Sequence, residues 1–327
     1  MKAVLLLAGR GSRLLPLTET TPKPLLAVAG APVLEHILTT LRPLPVEELI
    51  VVTGHLGEYF EAYLWECYRA PYRIIKQTRL DGTGGAVYAA RDHIECPILI
   101  VFGDSIFDAD LSCLSKRPDQ NVIWTQNVDD YQRFGIVQTD ELGNMKTIVE
   151  KPKHDVGRRA NIGVYYVSAH RALRDSLERI RMRPTINGEY YFTYALNDMV
   201  EGGQSIKVSE VDSWHDCGDF ASLLTTNRRL LAANKRAPPS SHLGVTIIPP
   251  VAIHENAHLQ DCRIGPDVSI GAGSWITSSS ISNAIVARNC LLDNVVVCNS
   301  IVGDGEKLID LNLQGLIAAN GKIVKYT

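Results

Sequence analysis

Close to the amino terminus, Leu6-Leu-Ala-Gly-Arg-Gly-Ser-Arg13 runs into Leu14-Leu-Pro-Leu-Thr18 and then Thr21-Pro-Lys-Pro-Leu25. Gly9 and Gly11 follow a short apolar run, so the backbone can turn sharply and bring amide N–H groups against an anion. Leu7 and Ala8 end the apolar run, and Ser12 follows Gly11. Arg13 and Lys23 add two fixed positive charges, and Pro22 and Pro24 stiffen the chain around Lys23. The chemistry of these residue types is phosphate binding. Their spacing is neither G-x-G-x-x-G nor G-x-x-x-x-G-K-[ST].

The elements that must position this loop are legible as alternating apolar runs and helical patterns. Ala3–Leu7, Glu48–Thr53, Tyr72–Lys76, Pro97–Val101 and Asn121–Thr125 read as strands. Val33, Leu34, Ile37, Leu38 and Leu41 fall at helical spacing, and Gly85–His93 continues the alternation. Strand–helix–strand repetition predicts a mostly parallel sheet, whose ligands bind at the carboxyl ends of the strands. Asn161–Val167 is a further strand; Arg171–Ile180, Tyr190–Val200 and Phe220–Ala233 are further helices. Lys235-Arg-Ala-Pro-Pro-Ser-Ser241 has the composition of a linker.

Beyond it the pattern changes. Ile264, Ile270 and Ile276 recur every six residues, and Ile281, Val286, Leu291, Val296 or Val297, and Ile301 or Val302 continue at five to six. Such spacing predicts a parallel β-helix of hexapeptide repeats, with roughly three turns of three hexapeptides each over residues 244–304. The expected division is a catalytic domain over 1–235, a linker over 236–243 and a β-helix domain over 244–327.

Composition bounds the partners. The 327 residues carry 33 Lys and Arg against 36 Asp and Glu, a net charge of −3, which excludes a generally basic nucleic-acid surface. The first apolar run, Ala3–Ala8, is too short for a bilayer helix or a signal-peptide core, so no membrane association is expected. Seven scattered cysteines with no C-x-x-C pair point to a reducing cytoplasm rather than to disulfides or zinc.

The amino-terminal stretch as a whole resembles the signature of the sugar-nucleotide pyrophosphorylases, a nucleotidyltransferase family. The resemblance extends through Gln77, Asp81-Gly-Thr-Gly-Gly-Ala86, Phe102-Gly-Asp-Ser105, Phe134-Gly135, Glu150-Lys-Pro152, Asn161-Ile-Gly-Val-Tyr165, Gly188-Glu-Tyr-Tyr-Phe-Thr193 and Trp214-His-Asp216 with Gly218. The carboxy-terminal hexapeptides are similar to the β-helix of the longer members, such as the long glucose-1-phosphate thymidylyltransferases. The resemblance implies an α/β, Rossmann-like (GT-A-like) mixed sheet followed by a short left-handed β-helix.

It also implies a reaction. A nucleoside triphosphate, dTTP or UTP, is joined to a sugar-1-phosphate, with glucose-1-phosphate favoured, and pyrophosphate leaves. Asp104 and Asp216 are the implied Mg²⁺ carboxylates, although Asp104 taken alone is equally compatible with a helix cap. Leu7, Ala8, Gly9, Gly11 and Ser12 are the implied nucleotide-binding positions; Arg13 and Lys23 face the triphosphate, and Lys151 the sugar phosphate. Gly135, Glu150 and Asn161 line the sugar, and Asn161 is also compatible with a turn. Gln77, with backbone at Gly82 and Thr83, reads the base, since its amide offers both a donor and an acceptor. Two departures stand out: Leu7 occupies a position the family keeps small, which puts base choice in doubt, and Tyr194 stands where an aspartate often follows Thr193.

Three neighbouring readings accompany this one. They are a mannose-1-phosphate guanylyltransferase, a bifunctional enzyme with acetyltransferase activity on the β-helix (candidate bases His254 and His258), and a non-catalytic regulatory homologue. The presence of Arg13, Lys23, Asp104, Lys151 and Asp216 argues against the last. A homo-oligomer built on the coil is expected.

Overall fold

The computed structural model describes residues 1–185, 188–234 and 244–325, apart from the Cys113 side chain. The expected linker lies outside the described residues. The chain forms two compact units: Met1–Arg10 with Ile37–Trp214, and Gly11–His36 with His215–Thr327. The cut therefore does not fall at the proline-rich segment. The second unit takes the phosphate-type loop and the helix Phe220–Ala233 together with the carboxy-terminal strands.

The first unit is a nine-stranded mixed sheet with helices packed on it. The run Lys2–Leu7 is buried along nearly all its length because it is a central strand, parallel to both Glu48–Thr53 and Ile98–Phe102. Tyr72–Lys76 continues the parallel half. The other half is antiparallel around Arg159–Val167, which pairs with Ile98–Phe102, Asn121–Asn127 and Gly135–Thr139. Ile206–Glu210 nonetheless pairs parallel with Asn121–Asn127 at this side. Gly135–Thr139 and Met145–Glu150 are joined by a tight turn and so form an antiparallel pair.

The helix His170–Arg181 buries Leu173, Leu177 and Ile180, and Phe192–Glu201 buries Phe192, Leu196 and Met199. These spacings put one apolar stripe of each helix into the core shared with Ile100, Ile123 and Tyr165. The expected helix over Gly85–His93 is instead Thr83–Ala89 followed by a short 3₁₀ turn, Arg91–His93. Among the described residues, no helix is long and apolar enough to cross a membrane.

In the second unit, short parallel strands pair with partners 16 or 17 residues later, from Thr246↔Arg263 through Val296↔Asn312. The stacking makes three apolar columns. One is Ile264, Ile281, Val297 and Leu313; another is Ile270, Val286, Val302 and Ala318; the third is Ile276, Leu292 and Leu308. The repeat is thus shorter than three full hexapeptides, and the pairing runs past residue 304 to Ala318. Steps between columns cross single left-handed residues, among them Asp267, Ser278, Asn283, Asn294, Asn299 and Asp310. Asn and Asp tolerate that conformation because their short polar side chains bond locally. Here they also bond from one layer to the next: Asn283 Nδ2 donates to Asn299 Oδ1 and Asn294 Nδ2 to Asp310 Oδ1, both at 2.6 Å.

The helix Phe220–Ala233 begins with a capping box, Asp219 accepting from the Ser222 amide while Ser222 Oγ accepts from the Asp219 amide. Fully buried Asn227 accepts from the Ala29 amide and the Ser269 hydroxyl and donates to the Asp267 carbonyl. One side chain thereby ties the loop segment, the helix and the parallel strands together.

Candidate functional site

The residues expected at a sugar phosphate come together in the first unit. Gly135 and Glu150 are register partners at the start of one strand and the end of the next. A β-carbon on Gly135 would lie 3.0 Å from Glu150 Oε2 and 3.1 Å from Ile148 Cγ2, so this carboxylate packs closely on the glycine backbone. Thr193, at the start of its helix, donates to Glu150 Oε2 at 3.1 Å. From the same helix Asn197 accepts from the Ile148 amide and donates to its carbonyl, which fixes the edge strand that carries Glu150. Burial raises the Glu150 carboxyl above the ordinary range, against the Thr193 hydrogen bond and the Lys151 charge.

Lys151 is exposed, has a left-handed backbone (φ 43°), and holds its ammonium 5.2 Å from the centre of the Tyr191 ring. Asn161 shapes the adjoining wall: its Oδ1 accepts from the Gly163 amide and its Nδ2 donates to Tyr165 Oη at 2.6 Å. The Tyr165 hydroxyl is buried, and the carboxylates of Glu150 and Asp104 add to the burial that raises its pKa. Asp104 therefore shares this neighbourhood, in the turn that ends the strand Ile98–Phe102. Thr193 and Tyr165 belong to motifs quoted above but carried no separate signal in the sequence. Their roles follow from a helix start and an irregular strand register that spacing does not reveal.

The residues expected at the base form a second group in this unit. Gln77 is buried, and its amide nitrogen donates to Asp81 Oδ1 and to the Gly82 carbonyl. The donor half of that amide is committed inside the protein, which leaves Oε1 as its outward-capable atom. Arg181 pairs with the other Asp81 oxygen at 2.5 Å and lies over the Tyr190 ring. Gly82 adopts φ 98°, and a β-carbon there would strike the Tyr190 carbonyl at 2.6 Å. The Tyr190 carbonyl accepts from the Gly84 amide, and Thr83 Oγ1 accepts from the Phe192 amide. The segment 190–193 thus touches both groups. Leu7 is 1% exposed within the core and Ala8 is also buried, whereas Gly9 is exposed with open space where a side chain would stand.

The phosphate-type residues lie in the second unit. Gly11 has φ 65°, the left-handed conformation that opens the 3₁₀ turn Ser12–Leu14. It sits against Thr18 and Lys23, whose Cβ would be 3.2 Å from an added β-carbon. Thr18 Oγ1 donates to the Gly11 carbonyl at 2.9 Å. Lys23 starts its own 3₁₀ turn between the two prolines, as the stiffening argument requires. Arg13 and Asp216, remote in sequence, meet at Gly218: a β-carbon there would fall 2.8 Å from Asp216 Oδ1 and 3.3 Å from Arg13 Nη2. Asp216 Oδ1 accepts from the Gly218 amide. His215 is a packed imidazole, held toward its neutral form by burial and by the charges of Arg229 and His36.

Among the described residues, no group of three or more His, Cys, Asp or Glu side chains is arranged to hold a metal. Asp104, in the first unit, and Asp216, in the second, each offer hard carboxylate oxygens of the kind Mg²⁺ prefers.

Comparison with known proteins gives a consistent picture. The Nucleotidyl transferase family profile matches residues 2–233. The chain is 34% identical to a bifunctional protein GlmU of Methanococcus aeolicus over 231 residues, 71% of this chain but only 54% of that protein, so it spans about half the length of such relatives. A glucose-1-phosphate thymidylyltransferase of Streptomyces griseus aligns over 94% of this chain and 88% of its own, at 28% identity. A solved UDP-glucose pyrophosphorylase complexed with UDP-glucose superposes with a TM-score of 0.64 at 20% identity, over 71% of this chain and 99% of that one, a likeness of fold.

Proposed function

Since the chain belongs to the nucleotidyl transferase family, we propose that it joins dTTP or UTP to a sugar-1-phosphate, glucose-1-phosphate being favoured, and releases pyrophosphate. A phosphate oxygen of the sugar-1-phosphate attacks the α-phosphorus in line. The P–O bond to the β-phosphate breaks, and its electron pair leaves with pyrophosphate. Both reactants are anions, so charge neutralisation and alignment are the main tasks of the protein. Arg13 and Lys23 hold the triphosphate and offset charge on the leaving group. Lys151 holds the sugar phosphate, while Glu150, Asn161 and the Gly135 amide bond the sugar hydroxyls. Asp104 and Asp216 would hold Mg²⁺, which would supply positive charge at the phosphates.

The observation that carries this reading is the meeting of Arg13 with Asp216 at Gly218, a phosphate-type cation and a metal-type carboxylate both packed against one glycine. The preference for a pyrimidine rests on Gln77, whose free Oε1 would accept from the imide N–H of uracil or thymine. The end-to-end likeness to the Streptomyces thymidylyltransferase supports the same choice. The three apolar columns support reading the carboxy-terminal strands as a left-handed parallel β-helix, on which a homo-oligomer would form, and a cytoplasmic setting completes the proposal. The test is a pyrophosphate-release screen of the common triphosphates against several sugar-1-phosphates with Mg²⁺. Release with dTTP or UTP and glucose-1-phosphate is expected. A clear preference for GTP with mannose-1-phosphate would move the assignment to the guanylyltransferase, and no release with any pair would remove it.

A further inference from the structure

The last hairpin of the chain reaches the phosphate-type loop, and both belong to the second unit. Leu316–Ala319 and Lys322–Lys325 pair antiparallel around a two-residue Asn320-Gly321 turn. Both turn residues have positive φ, 55° and 68°, the backbone an Asn-Gly hairpin adopts. That conformation leaves the Asn320 side chain outside the ladder. It does not stay in solvent: Nδ2 donates to the Pro16 carbonyl at 2.7 Å, and Oδ1 accepts from Thr20 Oγ1 at 3.0 Å. One residue past the turn, Lys322 Nζ lies 2.7 and 2.9 Å from the two Glu19 carboxylate oxygens. Between these contacts Leu17 is buried, its Cδ2 3.1 Å from where a β-carbon on Gly303 would stand.

The grip continues inward. Residues 16–20 are held on the hairpin side by Asn320 and Lys322. Within the same stretch Thr18 donates to the Gly11 carbonyl, and Gly11 sits against Lys23. The loop Gly11–Leu25 consists of three separate 3₁₀ turns, none long enough to be rigid alone. Its geometry must therefore be imposed from outside.

We propose that Asn320 is a positioning residue: the terminal hairpin clasps residues 16–20 and so fixes the loop that presents Arg13 and Lys23 to the triphosphate. This rests on the nucleotidyltransferase reading for its kinetic consequence but not for the clasp itself. It gives the carboxy-terminal strands a task in the chemistry of the amino-terminal loop.

Asn320→Gly separates the side chain from the turn, because glycine accepts the positive φ and loses only the side-chain hydrogen bonds to Pro16 and Thr20 and a long one, 3.5 Å, to Glu19. In the full-length protein, this variant should raise KM for the triphosphate by about tenfold, one or two hydrogen bonds' worth. KM for the sugar-1-phosphate should stay the same, a split that general destabilisation would not produce. Backbone amide exchange should speed up over residues 11–20 and remain unchanged over Lys2–Leu7. Faster exchange in a protein that releases no pyrophosphate would uphold the clasp and reject the reaction. Unchanged exchange over 11–20, or equal effects on both KM values, would overturn the proposal.

Discussion

Glu150 is placed by residues near it in the fold and mostly near it in sequence: its register partner Gly135, its neighbour Lys151, and Thr193 and Asn197 on one packed helix. Arg13 and Lys23 are placed differently. They ride on short turns in a segment tied down by Asn227 and Asn320, side chains two to three hundred positions further on, and Arg13 packs beside Gly218. The sugar side is thus built by sheet register, and the phosphate side by long-range side-chain ties. Register is distributed over many backbone hydrogen bonds and tolerates the loss of one. A loop held by a few polar side chains is sensitive to each of them, so single substitutions should separate the two regions.

The largest effect belongs to the chemistry itself. Asp104→Ala should cut kcat by about a thousandfold with the urea midpoint little changed, as expected when a group stabilising transition-state charge is lost. Retained turnover would remove Asp104 from the metal assignment. Next is the tie at Asn227. Asn227→Leu leaves the Ala29 amide, the Asp267 carbonyl and the Ser269 hydroxyl without their partner, and should cost about 3 kcal/mol in urea unfolding. If the phosphate side depends on such ties, triphosphate affinity in this variant should fall further than sugar-phosphate affinity.

A smaller change is expected at Glu150. Glu150→Gln should raise KM for the sugar-1-phosphate by about tenfold and leave that for the triphosphate alone. The smallest effect is its pH signature. Burial raises the Glu150 pKa in the folded state, so the native protein binds this proton more tightly than the unfolded chain. Its contribution is then most favourable below the ordinary glutamate value and diminishes as pH rises from there through the folded-state pKa. The stability of wild type relative to Glu150→Gln should fall over that window in urea titrations. A flat difference would mean the carboxylate is better solvated than its burial implies.

The same contrast explains what could be read in the sequence. Glu48–Thr53, Tyr72–Lys76 and Phe220–Ala233 are found at their predicted bounds because strong apolar patterning and clean ends mark them. The antiparallel half of the sheet was not legible, since strand direction depends on connections rather than on apolar runs. The six-residue period announced the carboxy-terminal columns, but their repeat of 16 or 17 residues emerges only once the strands are paired. At the site, glycines and charged residues in specific motifs were visible one by one. Asn197, Asn227 and Asn320 were not, because a polar residue that bonds a distant backbone looks like any surface residue until the chain is folded. Asn320-Gly321 did carry a local hairpin signal, though nothing in it pointed to Pro16.

The reaction itself is tested most directly by product stoichiometry. Purified protein with Mg²⁺, glucose-1-phosphate and dTTP or UTP labelled at the α-phosphate should yield labelled nucleotide sugar and pyrophosphate in equal amounts. Neither product should form when the sugar phosphate is omitted. Label appearing as free nucleotide, or pyrophosphate released without the sugar phosphate, would contradict transfer between the two bound anions.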